Sequence, residues 1–243
     1  MKIVAVASGK GGVGKSTVSL NLARALVALE YAVGLLDADI YGPDIPLMLG
    51  IKRTRELKTW TLGVNPRFGR VALQPVERLG LKVMSVGFLL AEHQPLTMPG
   101  MLVDLVARQL IQDVAWGELD YLIVDLPPGT ADLQQQLFAR SDLTGAIVVV
   151  GPQDAAHLDA RKLVTMLRDA DVPVLGAVEN MSGLRCPHCG ERIEVFPPVD
   201  EERSLLREIP LLGSVPLDPA YAQLNGVPPA FAEIAGAVAQ ALQ

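Results

Sequence analysis

Short continuous apolar runs alternate along this chain with segments in which apolar residues recur every three or four positions. Ile3-Val4-Ala5-Val6-Ala7, Val33-Gly34-Leu35-Leu36-Asp37, Leu81-Lys82-Val83-Met84-Ser85-Val86, Tyr121-Leu122-Ile123-Val124-Asp125, Ala146-Ile147-Val148-Val149-Val150 and Val172-Pro173-Val174-Leu175-Gly176-Ala177-Val178 read as strands. Val71-Ala72-Leu73-Gln74 and the run from Pro210 to Asp218 suggest two more. Helical stripes are formed by Leu20, Leu22, Ala23, Leu26 and Val27, then by Met101, Leu102, Leu105, Val106, Leu110 and Val114. Leu158, Leu163, Met166 and Leu167 form a third, and Phe231, Ile234, Val238 and Leu242 a closing one. This alternation predicts a doubly wound α/β fold with a mostly parallel sheet, its ligand crevice at the C-terminal edge of the strands. The stretch 52–80 is polar and rich in turns, and 87–100 reads as a loop.

The first strand-to-helix junction carries chemistry. Gly9-Lys10-Gly11-Gly12-Val13-Gly14-Lys15-Ser16-Thr17 fits G-x-x-x-x-G-K-[ST] between a predicted strand and a predicted helix. Its glycines let the backbone N–H groups of Gly11, Gly12, Val13, Gly14 and their neighbours through Thr17 converge without Cβ clashes, and the helix N-terminus adds partial positive charge. Lys15 is expected against the β- and γ-phosphates and the Ser16 hydroxyl on Mg²⁺. A glycine-rich turn that binds nothing is the plain alternative, and a complete motif in its proper context argues against it.

Carboxylates end two of the other strands. Asp37 and Asp39 leave the second strand, where Pro43 and Pro46 stop a regular continuation; Asp39 suits orienting a water and Asp37 suits a Mg²⁺-bound one. N-capping or turn chemistry is the structural alternative for either. Asp125 closes an apolar strand ahead of Leu126-Pro127-Pro128-Gly129, the position of a Walker B acid, and the turn after it is a candidate nucleotide-sensing switch. Asn180, after the sixth strand, carries an amide with both donor and acceptor for an adenine edge. Pro216 joins it in the nucleotide-contacting set. His157 reads as a surface or capping residue.

Composition narrows the classes. With 243 residues, half of them hydrophobic, the chain suffices for one domain spanning 1–243 and a core without staples. A net charge of −6 without a long basic block argues against a nucleic-acid partner. No apolar run approaches a membrane span, and the first strand begins at once, so a cytoplasmic location with no membrane partner is expected. The two cysteines, Cys186 and Cys189, stand as Cys-x-x-Cys in a predicted loop, which in a reducing compartment suggests a metal or redox site. Two thiolates complete neither a zinc site nor a [4Fe–4S] cluster, whereas a twofold dimer supplies four.

Lys10, beside the first glycine, makes KGGVGKST similar to the deviant Walker A motif of the MinD, ParA and nitrogenase iron-protein class. That resemblance implies a nucleotide-dependent homodimer in which Lys10 reaches the partner's nucleotide, as an arginine finger would. The whole chain resembles the Mrp/ApbC (Nbp-type) P-loop ATPases that carry iron–sulfur clusters. SGKGGVGKST, LLDADIYGPDIP, SVGFLL, WGELDYLIVDLPPGT, GPQDAAHLDARK, VPVLGAVENMS, CPHCG and LLGSVPLDP match its landmarks in order from residue 7 to about 219. The resemblance implies a deviant P-loop NTPase fold, ATP with Mg²⁺, slow hydrolysis, and a labile [4Fe–4S] cluster bridging the homodimer for transfer to apo iron–sulfur proteins. By motif position it implies Lys10, Lys15, Ser16, Asp39 and Asp125 for nucleotide work, Asn180 for adenine, and Cys186 and Cys189 for the cluster.

Three stretches depart from that pattern: Met98-Pro99-Gly100-Met101, Thr130-Ala131-Asp132 and Phe196-Pro197-Pro198-Val199. None removes a phosphate-binding residue or a cysteine. Two other readings stay open. Zinc also accepts four thiolates, so the cysteines would serve as a structural clamp. A positioning ATPase of the MinD/ParA type would need a basic amphipathic C-terminal helix, yet residues 227–243 contain no Lys or Arg.

Overall fold

The computed structural model describes residues 1–39, 42–51, 63–64, 71–88, 110, 113–129, 134, 138, 142–186 and 188–243. β1 (Lys2–Ala7) leads through the glycine loop into α1 (Lys15–Ala28), followed by β2 (Val33–Asp37) and the short α2 (Ile45–Met48). β3 (Gly63–Val64), β4 (Val71–Ala72), β5 (Val76–Arg78) and β6 (Leu81–Ser85) come next, then β7 (Tyr121–Asp125) and β8 (Gly145–Val150). The order closes with α3 (Asp154–Asp169), β9 (Val174–Arg185), β10 (Arg192–Ile193), β11 (Leu211–Leu217) and α4 (Pro229–Ala241).

Among the described residues the principal sheet has nine strands in the order β10-β9-β8-β1-β7-β2-β6-β5, with β11 also pairing with β9. β1, β2, β6, β7, β8, β9 and β11 pair in parallel, and β5 and β10 run antiparallel at the two margins. The central strands are buried on both faces, which is why they read as unbroken apolar runs rather than alternating ones. α1 buries most of its surface and packs on α4, whose Phe231, Ile234 and Val238 face it and β11. Each such fully buried large side chain contributes roughly 1.5–3 kcal/mol.

Register places the chemistry. Val6 of β1 and Asp37 of β2 both lie opposite Asp125 of β7, and Asp37 lies opposite Ser85 of β6. Three strand ends therefore meet at one level, beside the loop that follows β1.

β9 differs from expectation. It does not end near Val178 but continues to Arg185, because β11 pairs along it and β10 folds back onto its last residues. The cysteines thus sit at the tip of a hairpin rather than in a free loop. Of the stripe expected over 101–114, Leu110 is buried and Val114 bridges Leu73; its other members lie outside the described residues.

Candidate functional site

Gly9 to Thr17 form a loop against α3 at the head of α1. Gly9 lies so close to α3 that a Cβ there would run into the Asp159 backbone, which requires glycine at this approach. On the other side Pro128 stands beside Gly11, and the Gly129 N–H donates to the Ser8 carbonyl at 3.0 Å. The 127–129 turn thereby touches the loop. Gln134, buried, donates its amide to the Pro127 carbonyl. Lys10 is exposed, while its carbonyl accepts from Ser8 Oγ at 3.0 Å.

Beneath the loop lie three buried carboxylates and one buried ammonium. Lys15 Nζ is 2.9 Å from Asp125 Oδ1 and 3.7 Å from Asp39 Oδ2. Ser19, one helical turn beyond Lys15, donates to the same Asp125 oxygen at 2.7 Å. Ser16 Oγ lies 3.5 Å from Lys15 Nζ, and the Thr17 carbonyl accepts from Asn21. Asp125 Oδ2 is buried with no hydrogen-bond partner. A carboxylate oxygen left without a donor there suits a water of a Mg²⁺ ion, so the residues fit that ion.

Asp37 is held differently. It accepts from Ser85 Oγ at 2.9 Å, from the Ile45 N–H at 3.3 Å and from the Asp39 N–H at 3.2 Å. Burial, then repulsion from Asp125, push its carboxyl well above the usual carboxylate range, and Ser85, Lys15 and the Asp39 N–H oppose this only in part. Asp39 Oδ1 accepts from the Gly42 N–H at 3.2 Å, so the segment leaving β2 is pinned by both acids.

Asn180 does not stand free at a strand end. Its Nδ2 donates to the Val13 carbonyl at 2.7 Å, tying β9 to the phosphate-binding loop. Val215, next to Pro216, is its register partner on β11. Asn21 and Arg24, both buried on α1, donate to the carbonyls of Tyr221, Gln223 and Gly226 and fix the segment after β11. Sequence reasoning missed this clamp, as it missed Ser19 and Ser85. Ser19 is marked by its place four residues after Lys15, one helical turn on, whereas no pattern in the sequence marks Arg24.

Cys186 and Cys189 lie on the turn between β9 and β10, Cys186 partly buried and Cys189 exposed. The turn is closed by the Cys186 N–H donating to the Glu191 carbonyl at 2.8 Å and the Gly190 N–H to the Cys186 carbonyl at 2.9 Å. Hydrogen bonds from the Cys189 and His188 backbone, then from the Cys189 thiol, lower the Cys186 thiol below its ordinary value. No group of three or more His, Cys, Asp or Glu among the described residues is arranged to hold a metal ion. Among the described residues the two thiols thus supply half of a four-ligand site.

His157 corrects an expectation. It is fully buried on α3, not on the surface, and its Nδ1 accepts from the Leu205 N–H at 3.1 Å. The stretches 98–101 and 130–132, and His93, lie outside the described residues. No helix among the described residues is long and apolar enough to cross a membrane.

A family model, ParA, described as NUBPL iron-transfer P-loop NTPase, matches residues 1–241. An iron-sulfur cluster carrier protein of Aquifex aeolicus is 44% identical over 223 residues, covering 91% of this chain and 59% of that protein. The iron-sulfur cluster transfer protein NUBPL of Mus musculus is 44% identical over 220 residues, covering 89% of this chain and 66% of that one. The chain thus spans somewhat less than two thirds of either relative. Among solved structures, a nucleotide-binding protein from Archaeoglobus fulgidus in complex with ADP superposes with a TM-score of 0.74 at 35% identity, covering 95% of this chain and 90% of that one. The cell division ATPase MinD of Pyrococcus furiosus, at 22% identity, has a TM-score of 0.65 with 98% of each chain covered, a likeness of fold.

Proposed function

The chain belongs to the NUBPL iron-transfer P-loop NTPase family, and from that premise we propose that it is an ATP-dependent carrier of an iron–sulfur cluster. The observation that supports this most is the course of β9. One strand bonds to the phosphate-binding loop through Asn180 and ends, five residues on, at Arg185, next to Cys186. The same strand thus reaches from the phosphate-binding loop to the edge of the cysteine hairpin.

Phosphate oxygens would compete with Asp125 and Asp39 for Lys15, while the loop amides of Gly11 to Thr17 take the remaining phosphate oxygens. Ser16, with Asp125 and Asp37 through bound water, would hold Mg²⁺, which neutralises phosphate charge when present. Asp39, beside Lys15, would orient the attacking water. Lys10 would act in trans, since its ammonium is exposed rather than folded into its own site. Asn180 and Pro216 would border the adenine. The likeness to an ADP complex supports this placement of nucleotide.

The cluster is cargo, held by Cys186 and Cys189 of two copies of the chain as a [4Fe–4S] unit and passed to apo-proteins. Exposure of the hairpin suits release better than a permanent clamp would. A membrane-bound positioning role has less support, because the apolar face of α4 is packed on α1 and β11. The test is anaerobic reconstitution with iron and sulfide, with Cys186→Ala/Cys189→Ala as the control. About four irons per dimer, absent from the double variant, is the expected result. Stoichiometric zinc with no iron would sink the reading.

A further inference from the structure

β9 carries an irregularity between its nucleotide end and its cysteine end. Asn180 pairs with Val215 and Leu184 with Leu217, so Met181, Ser182 and Gly183 together oppose the single residue Pro216. Proline has no N–H to give the ladder, and the strand bulges there. Two of the three residues have left-handed backbones, Met181 at φ 60° and Gly183 at φ 103°. For an unbranched non-glycine residue inside a strand that conformation is strained and persists only where its surroundings impose it.

Each part of the bulge faces a different neighbour. Met181 lies over the phosphate-binding loop, its terminal methyl 3.7 Å from the point a Cβ on Gly14 would occupy. Ser182 is buried and its hydroxyl makes no hydrogen bond. Gly183 lies against β10, where a Cβ would be 3.0 Å from the Ile193 carbonyl oxygen. The loop side and the hairpin side thus meet across three residues that hold strain and one unsatisfied hydroxyl. Strain and an unbonded buried hydroxyl persist there only because the surrounding structure imposes them.

Resting on the carrier reading above, we propose that Met181–Gly183 are the positioning residues through which the nucleotide state of the loop sets the geometry of the cysteine hairpin. Movement of Val13 and Gly14 on nucleotide binding pulls on Asn180 and Met181. The bulge changes its backbone, and β10 shifts with Gly183, altering access to Cys186 and Cys189. The 127–129 turn, the nucleotide-sensing switch expected from the sequence, also touches the loop, through Gly129 and Pro128.

The experiment uses the full chain, reduced and stripped of metal, and reads the rate at which a thiol reagent modifies Cys186 and Cys189 with Mg-ATP, with Mg-ADP and without nucleotide. Affinity for a fluorescent ATP analogue is measured alongside. Wild type is expected to show a nucleotide-dependent rate ratio of about fivefold. Met181→Val, whose β-branched side chain resists positive φ, should bring the ratio to about one with affinity retained. Met181→Asn, which tolerates that backbone, should keep the ratio. Gly183→Ala tests the hairpin side and should also abolish it. An unchanged ratio in Met181→Val and Gly183→Ala at wild-type affinity, or no ratio in wild type, overturns the proposal. Because the thiol rate needs no cluster, failure of the carrier reading would show separately, as a protein that couples nucleotide to thiol access yet assembles no iron.

Discussion

Lys15 and Asp125, 110 positions apart in sequence, form an ion pair at 2.9 Å in which the carboxylate is fully buried and the ammonium nearly so. Such a pair is worth little against an apolar substitute, but breaking it from one side strands a charge. Here the stranded charge would be Asp125, already opposed across the sheet by Asp37.

Lys15→Ala should therefore destabilise the protein as well as abolish nucleotide binding, by about 3 kcal/mol. Adding Asp125→Asn should return part of that loss, since the two sites are in contact and their effects are not additive. Denaturant unfolding of the two single variants and the double variant measures the coupling directly. Strict additivity would show that the pair carries no net interaction.

Asp37 gives a pH dependence of definite sign. Its carboxyl is raised by burial and by Asp125, so the folded state keeps the proton at pH values where the unfolded chain has lost it. The protonated group's contribution is whole below the ordinary carboxylate range and is lost as pH rises through the raised folded value. The stability of Asp37→Asn relative to wild type should accordingly improve as pH rises from the ordinary carboxylate range through the raised folded value. Urea midpoints across that range check it; a flat difference would mean that Asp37 ionises normally.

His157 has the opposite sign. Burial lowers its value, outweighing the carboxylates of Glu179 and Asp154, and its Nδ1 must stay unprotonated to accept from Leu205. Its contribution is present above the unfolded value of about 6.5 and is lost as pH falls through the lowered folded one. His157→Asn, whose amide oxygen can accept the same N–H, should reduce the acid sensitivity of unfolding in that window. NMR titration of the imidazole would locate the folded value independently.

Lys10→Ala should leave ATP binding within about threefold of wild type while lowering hydrolysis by about 10³-fold, as removal of a trans-acting cation does. Equal loss of both would place Lys10 in its own protomer's loop instead. Mixing Lys10→Ala with a binding-defective Lys15→Ala chain separates the two further, since only an intact trans arrangement yields a characteristic residual rate.

Much of this was legible in the residues. The strand ends, the phosphate-binding loop and Asp125 follow from apolar runs that stop at glycine or a carboxylate, because parallel strands buried on both faces leave that signature. The continuation of β9 was not legible. Asn180-Met181-Ser182-Gly183 has no strand periodicity, and the strand resumes beyond it because Leu184 pairs with both Leu217 of β11 and Ile193 of β10. His157 was misplaced for a related reason: the segment that buries it, around Leu205, lies 48 residues away and has a sequence that reads as polar surface. The Asn21–Arg24 clamp needs backbone carbonyls as partners, which no side-chain pattern announces.

The most direct measurement is cluster transfer. The reconstituted protein is mixed anaerobically with an apo-protein bearing a four-cysteine [4Fe–4S] site, with and without Mg-ATP, and acceptor loading is followed after separation. The acceptor is expected to gain a cluster, transfer to respond to nucleotide, and chains with Cys186→Ala/Cys189→Ala to deliver none. Loading that proceeds equally from the double variant, or a cluster that never leaves the wild-type protein, would contradict it.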